Sequence, residues 1–176
     1  MRQSWHTFPV APGGGEELVD VVDENDVVID TVRRSTMRRE VLRHRAVFIL
    51  IRNSAGRVLI HRRSDDKDLW PGWWDVAVGG VVAAGESYEE ASVRELREEA
   101  GIDATPERVS SGRYDDPEVS LVAQCYEVCH DGDVRPEDGE VAEFRWVTVE
   151  ELRVRLATDR FLPDSLALLG ERLFRG

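Results

Sequence analysis

The stretch whose reading decides the fold is Gly80-Val81-Val82-Ala83-Ala84-Gly85-Glu86-Ser87-Tyr88-Glu89-Glu90-Ala91-Ser92-Val93-Arg94-Glu95-Leu96-Arg97-Glu98-Glu99-Ala100-Gly101-Ile102. Ser87 followed three residues later by Glu90 is a capping box, which starts a helix running to about Ala100, and Gly101 supplies the residue that stops it. On that helix Glu95, Glu98 and Glu99 stand at i, i+3 and i+4, so their carboxylates crowd one face, while Val93, Leu96 and Ala100 form an opposite stripe for a core. Like charges so placed repel by roughly 0.2–0.5 kcal/mol per pair on an open helix. Arg94 reaches Glu90 or Glu98 one turn either way, but one guanidinium does not neutralise the set. Mg²⁺ or Mn²⁺ would, since hard cations take carboxylate oxygens and bridge to the non-ester oxygens of a diphosphate. Gly79, Gly80 and Gly85 flank the preceding loop, where missing side chains let the backbone turn tightly and approach a ligand. A Glu-rich face usually means only a solvated helix. The coincidence of Gly80, Glu86, Arg94 and Gly101 with it argues instead for a metal–diphosphate cradle.

Outside this stretch the chain reads as a loose, Pro- and Gly-bearing arm over residues 1–15 and one domain over residues 16–176. The 176 residues, 41% hydrophobic and 33% charged, suffice for one substantial core. A net charge of −12 argues against a nucleic-acid polymer or an anionic membrane as partner, and leaves a small anionic substrate dependent on metal and local arginines. The absence of a spanning apolar run and of signal-peptide order predicts a cytoplasmic protein, and the N-terminal strands and exposed tryptophans leave a monomer or a homodimer open. Cys125 and Cys129 fall on one face of a strand, too far apart along it to bridge, and read as ordinary small apolar residues.

Periodicity predicts strands over Leu18 to Val22, Val27 to Val32, Arg45 to Arg52, Val58 to Arg62, Asp75 to Val81, Arg108 to Arg113, Ser120 to Val128 and Val141 to Val147. Helices are expected over Arg34 to Glu40, Val149 to Ala157 with Thr148 as N-cap, and Asp164 to Phe174. Strands and helices interleave without regular βαβ spacing, which points to an α+β fold, an αβα sandwich with a mixed sheet between helices.

Residues 80–102 match G-x5-E-x7-R-E-U-x-E-E-x-G-U, with U aliphatic, and so resemble the Nudix box without a departure. Nine specified positions would coincide on the order of 10⁻⁹ per starting point at average residue frequencies. The resemblance, extending over about Glu17 to Phe174, implies the Nudix fold and a hydrolase that cleaves a diphosphate bond in a nucleoside diphosphate linked to a moiety X, or in a related diphosphate. It implies metal ligation by Glu95, Glu98, Glu99 and Glu86, and catalytic roles for Glu95, Glu98 and Arg94. Glu95 would share metal binding with orienting the attacking water. A general base could also come from a later acidic residue, with Asp115, Asp116, Glu118, Glu140 and Glu143 as candidates. Arg62, Arg63, Gly80 and Trp70 are the expected substrate contacts, with at most one of the adjacent arginines facing the site. Trp73 and Trp74 could stack a base or pack in the core, and His44 and His61 could ligate a metal or make ordinary hydrogen bonds.

Arg62-Arg63 and Trp70-Pro71-Gly72-Trp73-Trp74-Asp75 also resemble the branch that includes isopentenyl-diphosphate isomerases and uncharacterised Nudix hydrolases. Isomerase chemistry would need a cysteine where Gly79 stands and a histidine where Val81 stands, and an acidic pair absent from Ser120 to Cys125. Hydrolysis needs none of these. A noncatalytic nucleotide sensor is a further reading, against which every acidic position of the box is intact.

Overall fold

Ala46-Val47-Phe48-Ile49-Leu50-Ile51 is apolar at every position, and such a run is stable as a strand only where both faces are covered. A computed structural model, which describes residues 16–136 and 139–174, places it at the centre of a sheet between two helical layers. The arm expected over residues 1–15 lies outside the described residues. The strands in chain order are β1 (Leu18–Val22), β2 (Val28–Arg33), β3 (His44–Arg52), β4 (Val58–Arg63), β5 (Trp74–Asp75), β6 (Val78–Val81), β7 (Glu107–Asp115), β8 (Ser120–Cys129) and β9 (Val141–Val147). The helices are α1 (Arg34–Glu40), α2 (Tyr88–Ala100), α3 (Val149–Leu156) and α4 (Pro163–Phe174).

β3 runs parallel to β8 along its whole length and antiparallel to β6 from Ala46 to Ile49, and it meets β1 at His44 and β4 at Arg52. Its alternate residues divide the core. Ala46, Phe48 and Leu50 join Leu152 of α3 and Leu169 and Leu173 of α4, whereas Val47, Ile49 and Ile51 join Tyr88, Ala91, Leu96 and Ala100 of α2. β4 pairs with β9 and β5, and β7 closes on β8, all antiparallel, which makes the sheet mixed as expected.

Two expectations need correction. The strand expected over Asp75 to Val81 is two strands, because β5 pairs with β4 while β6 pairs with β3, and Asp75 Oδ1 accepts the Ala77 amide (3.2 Å) at the buried bend between them. Val93 is not part of the core stripe of α2: it is 38% exposed, and Tyr88 and Ala91 take its place beside Leu96 and Ala100. Cys125 is buried, Cys129 is exposed, and both are free thiols. No helix among the described residues is long and apolar enough to cross a membrane.

Candidate active site

Both ends of α2 are fixed locally. The Ser87 hydroxyl accepts from the Glu90 amide (3.2 Å), the Glu90 carboxylate accepts from the Ser87 amide (2.9 Å), and Gly101 ends the helix at φ 67°. Glu90 is therefore engaged in the cap and is not the partner of Arg94. Arg94 instead ties the box together. It donates to both carboxylate oxygens of Glu86 (2.8 and 2.9 Å), to Glu95 Oε1 (2.7 Å) and to Glu98 Oε2 (3.1 Å), and its Nη2 also reaches the Val81 carbonyl (3.3 Å). Glu86 accepts a further bond from the Ala83 amide (2.9 Å), which closes the loop before the helix.

The three box carboxylates do not share one open face. Glu95 and Glu99 are buried beside the core stripe, and only Glu98 reaches partly into solvent. Glycines make that possible. A Cβ on Gly80 would lie 2.5 Å from Glu95 Oε1, so the carboxylate occupies the hollow that the missing side chain leaves. The Gly79 amide donates to Glu99 Oε2 (3.0 Å), and a Cβ there would fall 2.0 Å from the Val47 carbonyl oxygen. Burial, outweighing the pull of Arg94, pushes the Glu95 carboxyl up to about 7. Glu99 is raised well above the usual carboxylate range, by burial first and then by Glu95. Among the described residues no three acidic, histidine or cysteine side chains already close into a ligand cage, since Arg94 sits between Glu86, Glu95 and Glu98. The donor set nonetheless suits a hard divalent cation: carboxylate oxygens only, buried at Glu95 and Glu99 and half-exposed at Glu98, with Glu95 seated in a glycine hollow and one guanidinium among four acids.

Glu95, Glu98, Arg94 and Gly80 form one wall of a cleft of about 840 Å³. Four cations line the same cleft, Arg34 and Arg38 from α1, Arg63 at the end of β4, and Lys67 from the loop that follows. His44, Asp75 and Asp164 line it too, among apolar side chains, as does Trp70, held at φ 47°. Burial and then the charge of Asp75 push the Asp164 carboxyl up to about 7.

The NUDIX domain profile matches residues 42–168. The chain belongs to the Nudix family. An uncharacterized Nudix hydrolase of Streptomyces coelicolor is 41% identical over 165 residues, covering 92% of this chain and 91% of its relative. The uncharacterized Nudix hydrolase YfcD of Escherichia coli K12 is 37% identical over 155 residues, 88% of this chain and 85% of that one. The crystal structure of DR0079 from Deinococcus radiodurans aligns with a TM-score of 0.75 at 33% identity, over 90% of this chain and 100% of that chain.

Beyond its box, this Nudix hydrolase distributes the expected site residues unevenly. Arg63 faces the cleft, whereas Arg62, its strand neighbour, turns the other way and pairs with Asp65 (3.2 Å). Glu86 and Glu99 stand behind the lining, the first on Arg94 and the second on Gly79. Of the later acidic residues, Glu140 lines the cleft and pairs with Lys67. Asp115 is bonded to Ser120 and Arg43, Asp116 to the turn amides of Glu118 and Val119, and Glu143 to Arg145. Trp74 packs between Arg145 and Arg155, 5.2 and 4.3 Å from its ring, and is unavailable for stacking on a base. His61 is buried against Phe144, and His44 bonds through Nδ1 with the Leu42 carbonyl (3.0 Å). Sequence reading did not select Arg34, Arg38, Lys67, Asp75 or Asp164. The one local signal was Arg34 and Arg38 a turn apart on a short helix.

Proposed function

We propose that this Nudix hydrolase is a divalent-metal-dependent pyrophosphohydrolase that splits the P–O–P bridge of a small diphosphate bearing a group X. The observation that carries this reading is the seating of Glu95 in the Gly80 hollow, with Glu98 beside it, in a cleft that four cations also line. Glu95 and Glu98, backed by Glu99, would hold Mg²⁺ or Mn²⁺. When bound, such an ion lowers the pKa of a water and takes up charge on phosphoryl oxygens. Glu86 contributes by orienting Arg94, which in turn holds Glu95 and Glu98 in place. Arg63 and Lys67 offer donors to non-bridging phosphate oxygens, and Trp70 offers a ring for part of X. Glu95 would orient the attacking water, and of the later acidic residues Glu140, which lines the cleft beside Lys67, is the candidate to take a proton. One catalytic domain over residues 16–176 suffices for these roles. Isomerisation is not favoured, since Gly79 packs on the Val47 backbone where the isomerase branch needs a cysteine.

The test is release of phosphate or nucleoside monophosphate from a panel of diphosphates with Mg²⁺ and with Mn²⁺. Glu98→Gln, at a half-exposed position, should leave the fold intact and lower kcat by about 100-fold or more. Equal turnover by the two proteins, or turnover that survives chelation of the metal, would remove the proposal.

A further inference from the structure

The four cations that line the cleft differ in what already occupies them. Arg34 pairs with Glu17 (2.9 Å), Arg63 donates from Nε to the Leu69 carbonyl (3.2 Å), and Lys67 pairs with Glu140. Arg38 is different: its Nε is buried without a hydrogen-bond acceptor among the described residues, and the nearby Asp68 carboxylate stands off at 3.8 Å. A buried guanidinium N–H without a partner is costly to maintain, and it sits one helical turn from Arg34, a like charge. Folding alone gains nothing from that arrangement. An anion entering the cleft would satisfy it.

Arg38 stands beside Asp68 of the loop after β4 (3.8 Å), whereas Glu95 is held by Arg94 (2.7 Å) in the Gly80 hollow. A diphosphate at the carboxylate wall would leave Arg38 unfilled. We propose that Arg38, flanked by Arg34, is a specificity-determining subsite for a second oxyanion of the substrate, a phosphate group on X distinct from the diphosphate that is cleaved. This rests on the cleft being the diphosphate site proposed above. It narrows X to phosphorylated groups and places sugars and nucleosides without a further phosphate among the poorer substrates.

Binding of inorganic phosphate to the full chain, in excess chelator so that no divalent ion contributes, tests the subsite without turnover. Calorimetry should show a phosphate site that Arg38→Met weakens at least tenfold and Arg38→Lys weakens less, since lysine keeps the charge but not the planar fork. Arg62→Met, on the opposite face of β4, should leave it unchanged. If Arg38→Met does not fold, Arg38→Lys against Arg62→Met carries the same comparison. Absence of phosphate binding, or binding that Arg38 substitution leaves alone, overturns the proposal. With Mg²⁺, matched diphosphates that differ by one remote phosphate, coenzyme A against dephospho-coenzyme A and NADP against NAD, should show a preference for the phosphorylated member that Arg38→Met removes. Silence on every diphosphate would remove the hydrolase reading, while phosphate binding that depends on Arg38 would still support the subsite.

Discussion

Gly80 owes its identity to a side chain from another element. Any Cβ at this position would overlap the Glu95 carboxylate, which is buried and already clasped by Arg94, so the carboxylate would have to leave its place. Gly80→Ala should therefore act on chemistry more than on stability. Metal-dependent kcat/KM is expected to fall by about tenfold or more, with the urea midpoint changed little, because a side-chain carboxylate yields more easily than backbone. Unchanged kcat/KM would mean that Glu95 is not needed where it stands. The glycine itself was legible in the sequence, but its reason was not, since the atom it makes room for is fifteen residues away. The strand rule did foresee that Arg62 and Arg63 diverge, and it could not say which faces the cleft; pairing of β4 with β5 and β9 decides that.

Helix termini were legible because their signals are local. Ser87 with Glu90 and Thr148 with Glu151 both form the reciprocal bonds that their spacing announces. Replacing either cap by alanine should cost about 1 kcal/mol in urea unfolding. The two should separate on activity. Ser87→Ala loosens the end of α2 adjoining Glu86 and should raise the metal concentration needed for half-maximal rate, whereas Thr148→Ala, on a helix that supplies Leu152 to the core, should leave kcat/KM unchanged. What the helical period concealed is that Glu95 and Glu99 lie inside. Binary patterning counts every glutamate as polar and outward, and so assigned Val93 to the core in their stead.

The cleft as a whole was beyond local reading, for it is assembled from α1, the loop after β4, the bend at Asp75 and the start of α4, joined only by sheet pairing. Its buried titratable groups give the whole molecule a pH signature. Burial holds His44 down to about 4 and His61 down to about 3 from the usual 6.5. As the pH falls below 6.5 the unfolded chain takes up protons that these folded sites refuse, so their contribution to stability is complete above 6.5 and is lost between there and about 4 for His44 and about 3 for His61. Asp164 works in reverse: raised from 3.8 to about 7, its contribution is present below 3.8 and disappears as the pH rises through about 7. Urea unfolding from pH 6 to 4 should thus fall less steeply in His61→Gln than in the native chain, by about 1 kcal/mol per pH unit. A slope that does not change would mean that His61 is protonated in the folded state. The contact between Gly79 and the Val47 carbonyl, finally, bears on ancestry. A cysteine there would meet the Val47 carbonyl and would have to hold a φ of 153°, so on this backbone exchanging that one residue would not install the isomerase's nucleophile. Any passage between the two chemistries would have to reset the backbone at this point of the β3–β6 pairing, and an engineer retracing it would begin there before adding the nucleophile.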